Sequence, residues 1–447
     1  MKQQLVGRRD LLVSFLGLAA ANAACRKGAS TPRDIPTTLV DRVHEAGHLL
    51  RQAPPALATS DARVVDCLVV GGGAAGLSAA WRLKGGGLDD VLVVEVDDVV
   101  GGTAKSGENA VSKFPWGAHY LPAPLSTKGP VPRLLREFGV LTGVDDAGAP
   151  TYDEAALIHE PEERLYYRGA WYDGLYLRAG ASADDLAQLA RFDSMMDAFA
   201  AAKDAKGRKA FAVPIELGSD DAEWTSLDRL SMAEWMAQQG FTSKRLAWLV
   251  DYACRDDYGA TARDTSAWAG LWYFCARQSG IEKNEGFLSW PEGNGRLVAE
   301  LAKAVDASRL QRSTLVHTLE QVPDSTDWYA HALDATTKAP LRLRAKQVVL
   351  ATPRFVAARL IAAWRKERPS FLDAFHTGPW TVANLTLSAK PYSRGFPLAW
   401  DNVLHESRSL GYVVATHQAL RANAKGPTVL TWYYPHDGSD VVAERKK

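Results

Sequence analysis

Hydrophobic positions along the chain change period several times, and each change marks an element. Val64–Val70 is a near-continuous apolar run broken by Asp66, the pattern of a strand buried on both faces. Gly71–Gly76 is a glycine-rich turn. Leu77, Ala80, Trp81 and Lys84 then recur at helical spacing within Ala74–Lys84, and Gly85-Gly86-Gly87 closes that helix. Val91–Glu95 reads as a second strand. Strand, turn, helix and strand in about 30 residues make a βαβ unit. Residues 126–285 read as mostly helical and rich in Trp and Tyr. The clearest helices there are Ser226–Gln239 and Ser266–Gln278, the latter opening at the cap-like Asp264-Thr265-Ser266. A turn at Pro291–Arg296 leads into a helix over Leu297–Val305. Thr314–Val322, Trp328–Leu333 and Gln347–Ala351 read as strands. Alternation in Thr381–Ser388, Gly411–Thr416 and Thr428–Tyr434 predicts an antiparallel sheet half exposed to a pocket.

The start of the chain has a different character. Arg8-Arg9 precedes a weakly apolar stretch, Leu11–Ala24, rich in Ala and Gly. A charged start, a short apolar middle and small residues at the end describe an export signal over 1–24. The paired arginines give it the twin-arginine form, a route that exports folded proteins to the periplasm or beyond. The export machinery is thus an expected partner, with cleavage near Ala23–Cys25. Cys25 also suits a lipid anchor, although Asn22 stands where an aliphatic residue belongs. Residues 25–60 read as a linker with a short helix at Leu39–Arg51. Within it, His44-Glu45-Ala46-Gly47-His48 matches the H-E-x-x-H pattern of zinc proteases. With no folded domain upstream to shape a cleft and no evident third ligand, no metal site is assigned.

A chain of 447 residues exceeds one ordinary core and suits two domains. The formal net charge is zero, so no global basic field draws nucleic acid, and no apolar run reaches the about 20 residues of a membrane span. Cys67, Cys254 and Cys275 lack metal spacing and read as buried small hydrophobes.

The sequence Val69-Val70-Gly71-Gly72-Gly73-Ala74-Ala75-Gly76-Leu77 fits G-x-G-x-x-G directly after a strand and at a helix start. Gly71 permits the tight turn, Gly73 admits a pyrophosphate, and Gly76 lets helix and strand pack closely. The N–H groups of Ala74 and Ala75, with the helix dipole, would face the phosphates. Glu95, 19 residues past Gly76, can accept hydrogen bonds from a ribose diol.

FAD and NAD share this fingerprint. The later motifs resemble the flavin amine oxidase superfamily, which includes protoporphyrinogen oxidase and phytoene desaturase. Gly101-Gly102 resembles its glycine doublet beside the phosphate and ribityl portion of the flavin. Gly117-Ala118-His119, within Trp116–Tyr120, resembles its segment beside the isoalloxazine, though His119 also reads as an ordinary structural histidine. Pro291-Glu292-Gly293-Asn294-Gly295 resembles the loop that returns to the flavin domain. The strand at Val316 resembles the one whose backbone meets adenine, and Ala351-Thr352-Pro353 its short Ala-Thr-Pro motif. The resemblance implies an α/β fold: a discontinuous Rossmann-like FAD-binding domain (61–125 and 291–365) interleaved with a mixed helical and antiparallel-sheet substrate domain (126–290 and 366–447).

Two departures stand out. Thr103 follows the doublet where the family has arginine, leaving Lys105 as a substitute charge. The family's final flavin-binding strand and helix have no counterpart after Tyr434, so the C-terminal element is expected to be missing. The implied activity is FAD-dependent removal of a hydride from a C–N or C–C bond of a small organic substrate. A non-catalytic flavin-binding protein and an NAD(P)-dependent reductase are the alternatives. Arg255-Asp256-Asp257-Tyr258-Gly259 is either a helix end or part of a substrate mouth. Trp432-Tyr433-Tyr434 is either core packing or an aromatic wall for a cationic amine.

Overall fold

The computed structural model of the chain describes residues 35–40, 43–52, 57–276, 286–418 and 426–437. They fall into two compact units, 1–45 and 46–447. In the first, residues 35–40 have no regular structure. The short helix Val43–His48, which carries the His-Glu-Ala-Gly-His run, begins later than Leu39 and continues as one turn at Leu49–Arg51. The export signal with Arg8-Arg9, and Cys25, lie outside the described residues. So does the chain after Asp437, which the expectation of a missing C-terminal element concerns.

Two six-stranded sheets organise the second unit. In chain order their strands are β1 (Asp61–Val70), β2 (Val91–Val94), β3 (Glu163–Tyr167), β4 (Ala170–Asp173), β5 (Leu310–Gln311), β6 (Thr314–Gln321), β7 (Trp328–Asp334), β8 (Pro340–Leu350), β9 (Trp380–Leu387), β10 (Asp401–Leu404), β11 (Gly411–Val414) and β12 (Thr428–Pro435). The first sheet runs β5-β2-β1-β8-β7-β6. Its first four strands are parallel, and β8, β7 and β6 form an antiparallel meander. Val70 lies opposite both Val94 and Leu350, so β1, β2 and β8 end at one level. That level is where α/β sheets bind ligands.

The apolar run of β1 follows from burial on both faces. Leu68 and Val70 pack with Leu92, Val94, Val316 and Leu343 under the meander. Cys67 and Val69 pack against Leu77 and Ala80 of the Ala74–Gly85 helix and Val298 and Leu301 of the Gly295–Val305 helix.

The second sheet runs β9-β12-β11-β10-β3-β4 and is antiparallel except where β3 runs parallel to β10. The three tail strands read from alternation pair as expected. Strands β3 and β4 correct the reading of residues 126–285 as mostly helical. Charged Glu163 and Arg164 open β3 and hide its strand character. Arg164 is fully buried. Its Nε donates to Asn402 Oδ1 at 2.5 Å, and its Nη1 to Ser393 Oγ at 2.6 Å and Phe396 O at 3.0 Å. Its guanidinium lies 3.8 Å from the centre of the Trp171 ring. Asn402 in turn donates to the Trp400 carbonyl, so this arginine ties β3 to β10 and to the residues before it.

The helices of residues 183–275 share a core of Phe192, Met196, Phe211, Trp235, Leu246 and Leu271. Serine caps set their starts. Ser266 caps Ala267–Cys275, and Ser231 with Glu234 forms a capping box before Met232–Gln238. That box moves the helix start from the expected Ser226 to Met232, with a single 3-10 turn at Ser226–Arg229. Arg255–Gly259 closes the Lys244–Tyr258 helix, with Gly259 at φ +62° as its left-handed cap. Cys67, Cys254 and Cys275 are free and buried. No helix among the described residues is long and apolar enough to cross a membrane.

Replacing Arg164 with Leu removes these donors from a buried site. Stability is expected to fall by at least about 2 kcal/mol. Urea unfolding with an unchanged m-value would show it as a lower midpoint.

Candidate active site

The glycine turn is shaped by close backbone contacts. A Cβ on Gly76 would lie 1.8 Å from the Gly71 carbonyl oxygen, and one on Gly71, at φ +109°, 2.6 Å from that of Ala351. A Cβ on Gly73 would touch Gly102 Cα at 3.7 Å, an ordinary van der Waals contact, so the doublet packs close beside Gly73 without a clash. Gly73 caps the Ala74–Gly85 helix without a side-chain hydrogen bond, and Ala74 and Ala75 are exposed. The first N–H groups of this helix are therefore open to an anion.

Other expected residues gather on this turn. Glu95, directly after β2, accepts from Gly72 N at 2.7 Å and Asp97 N at 2.9 Å. Gly101 N donates to Gly72 O at 2.8 Å, placing the Gly101-Gly102 doublet against the turn. Thr352 follows β8, its Cγ2 3.4 Å from where a Gly71 Cβ would stand, and its buried Oγ1 has no hydrogen-bond partner. Thr314 N, at the start of β6, donates to Glu95 O. Val316, two residues on, has its side chain in the core, which leaves only its backbone for a ligand. Lys105 differs from its expected role. Its ammonium pairs with Asp97, and its stem packs over Gly101.

The doublet leads to the second sheet. A Cβ on Gly117 would lie 2.2 Å from the Thr103 carbonyl oxygen, which also accepts from Ala118 N. The Pro291–Gly295 turn closes over the same segment. Asn294 N donates to Ala118 O at 3.1 Å, while the buried Asn294 Oδ1 is unpaired. Tyr433 on β12 donates its hydroxyl to Gly117 O at 2.9 Å. The His119 ring lies 4.9 Å from that of Tyr433 and 5.2 Å from that of Trp400. Burial pushes its pKa down to about 3, against a smaller opposing effect from a hydrogen bond to the Gly117 backbone. The imidazole is therefore neutral at ordinary pH. Strand alternation divides the Trp432-Tyr433-Tyr434 triplet. Tyr433 joins this cluster, whereas Trp432 and Tyr434 approach each other and Tyr434 approaches His436.

Beyond Trp400 the surroundings become acidic. Asp401 Oδ2 accepts from the Tyr252 hydroxyl at 3.3 Å. Tyr252 also lines a cavity whose walls include Glu163, Asp173, Asp193, Tyr176 and Tyr273. Burial, then repulsion from Glu162, Asp173 and Asp256, raises Glu163 to about 7. Burial, then Asp256 and Glu163, holds Asp401 well above the usual carboxylate range. Sequence reasoning missed Glu163, Tyr252, Trp400 and Asp401. Charged first residues of short strands were the only local signal of Glu163 and Asp401, and Tyr252 and Trp400 had none.

A model of flavin-containing amine oxidoreductases matches residues 74–440. The chain belongs to the flavin-containing amine oxidoreductase family. Solved structures agree in fold. A putrescine oxidase triple mutant is 15% identical with a TM-score of 0.58, covering 86% of this chain and 78% of that one. Cyclohexylamine oxidase from Brevibacterium oxydans is 16% identical with a TM-score of 0.55, covering 86% and 77%. A fatty acid isomerase from P. acnes is 15% identical with a TM-score of 0.58, covering 84% and 78%. No curated protein matches the sequence. The cofactor of this amine oxidoreductase is FAD. Its residues fit that group: the exposed helix start without a side-chain cap and the unpartnered Thr352 Oγ1 and Asn294 Oδ1 suit a phosphate-bearing, hydrogen-bonding ligand.

The raised Glu163 pKa has a thermodynamic consequence. Between about 4.5 and about 7 the folded state holds a proton that the unfolded state releases, so stability falls as pH rises through that window. Glu163→Gln removes this loss. Its melting midpoint should exceed that of the native chain by a few degrees at about pH 8 and match it at about pH 5, measured by thermal unfolding.

Proposed function

We propose that the chain is an FAD-dependent oxidase or dehydrogenase acting on a cationic amine. The observation behind this reading is the unbroken series of contacts from the glycine turn to the carboxylates. It passes through Gly101-Gly102, Thr103, Gly117 and Tyr433 to His119, Trp400 and Asp401. FAD, when bound, supplies the hydride acceptor. In this reading Gly71, Gly73, Ala74, Ala75 and Gly76 cradle its pyrophosphate. Glu95 takes the adenosine ribose, with the backbone at Val316 near the adenine. Gly101, Gly102 and Thr352 border the middle of the cofactor, and Gly117, Ala118 and His119 its ring.

The remaining side chains bind and orient the substrate. Tyr433, Trp400 and Tyr120 form an aromatic wall around His119, and aromatic faces attract cations. Burial and mutual repulsion oppose the ionisation of Asp401 and Glu163 in the absence of a cation. An ammonium group beside them would favour ionisation and compensate that cost. Neutral His119 can hold a hydrogen bond without repelling the cation. The same acidic lining disfavours the carboxylate of a fatty acid, which separates this reading from the activity named for the isomerase of similar fold. Putrescine oxidase and cyclohexylamine oxidase, by their names, act on amines, in keeping with it.

Gly73→Val places a branched side chain between the helix start and the Gly101-Gly102 doublet. The folded variant should purify without visible flavin absorbance. Full flavin content would contradict the pyrophosphate assignment.

Affinity for a cationic amine should depend on the charge of Glu163. Binding measured by calorimetry should tighten between about pH 6 and about pH 8, as Glu163 ionises. The step should vanish in Glu163→Gln. Equal affinities at both pH values in the native chain would remove Glu163 from substrate recognition.

A further inference from the structure

Past Thr352 the chain turns aromatic side chains outward. Arg354–Leu360 and Ala362–Lys366 are short helices, followed by a 3-10 turn at Ser370–Ala374. Ala357, Leu360 and Leu372 point into the protein and are buried. Phe355, Phe371 and Phe375 keep 56%, 49% and 53% of their surface exposed. The Phe371 ring lies 5.7 Å from Trp364 and 6.5 Å from Phe375, and the Arg354 guanidinium sits 5.6 Å over Phe375. Trp364, Phe371 and Phe375 therefore make one patch rather than isolated exposed residues, and Arg354, the chain neighbour of the exposed Phe355, lies over it. Contiguous exposed apolar surface of this kind marks an interaction site.

The rim of the patch carries an excess of positive charge. Residues 354–376 include five arginines and lysines and two acidic residues, in a chain whose formal net charge is zero. Arg354, Arg359, Lys366 and Arg368 are exposed. Of the two acids, Asp373 is paired with Arg368. Phenyl rings surrounded by arginine and lysine suit the boundary between anionic headgroups and acyl chains. There the rings enter the apolar layer and the cations meet lipid phosphates. A second copy facing the patch through a two-fold axis would set these cations against their own images, which argues against self-association.

We propose that the Arg354–Phe375 face docks on an anionic lipid bilayer. The FAD-loaded full chain is mixed with vesicles of phosphatidylcholine, with and without phosphatidylglycerol, and sedimented. Binding is expected to the anionic vesicles, to be lost at high salt, and to be absent with phosphatidylcholine alone. The variant Phe355→Ser/Phe371→Ser/Phe375→Ser should bind more than tenfold more weakly. Arg354→Gln/Arg359→Gln/Lys366→Gln, which changes only exposed side chains, should do the same. It keeps the test valid if the serine variant fails to fold. Retained flavin and an unchanged melting midpoint identify folded variants. Three results would overturn the proposal. They are no binding to anionic vesicles, binding of the charge variant equal to that of the native chain, and salt-dependent dimerisation through this face in place of vesicle binding.

Discussion

The arrangement of the site depends on how closely bare backbone can approach bare backbone at the Gly71–Gly76 turn. Gly76 lies so near the Gly71 carbonyl that no side chain fits between them, and a Cβ on Gly71 would also clash with the Ala351 carbonyl. These contacts bring the ends of β1, β2 and β8 together with the start of the Ala74–Gly85 helix. Glu95 then binds Gly72 N, and Gly101 N binds Gly72 O, so the second strand and the glycine doublet are fixed to the same turn. Side chains here would separate these segments and fill the space that a pyrophosphate needs.

From that point order passes to the second sheet through few contacts. Gly117 lies against Thr103, and the Tyr433 hydroxyl bonds to the Gly117 carbonyl. Tyr433 belongs to β12, whose neighbours lead to β10 and to Trp400 and Asp401. Arg164 and Asn402 secure this end of the sheet from within. The acidic cavity is thus positioned relative to the glycine turn by packed strands and a buried arginine, not by a surface loop. This favours a fixed distance between the cofactor segment and the carboxylates.

The first sheet was legible in the sequence because its chemistry is local. A strand buried on both faces reads as a continuous apolar run, and glycines at a turn before a helix have one main physical use. Gly71, Gly73, Gly76 and Glu95 came from such signals. The resemblance to flavin amine oxidases added Gly101, Gly102, Thr352, Gly117, Ala118 and His119, of which the doublet and Thr352 lie against the same turn. The acidic side of the site was not legible. Glu163 and Asp401 are 238 residues apart and sit beside each other because β3 and β10 pair in parallel. Two short strands with charged first residues give no local hint of that pairing. Ser226–Gln239 failed for the opposite reason. Its apolar spacing extended past a capping box at Ser231 that set the real helix start. Lys105, offered as a substitute for the family arginine, instead found Asp97, a partner invisible to sequence spacing alone.

The central claim is that this amine oxidoreductase binds FAD beside an aromatic and carboxylate-lined site for a cationic amine. Anaerobic addition of primary amines to the purified flavoprotein tests it most directly, with the visible spectrum as the readout. Loss of the oxidised-flavin absorbance on adding an amine, in native protein and far more slowly in Asp401→Asn, is the predicted result. A flavin spectrum that no primary amine alters, while a neutral substrate bleaches it, would contradict the account.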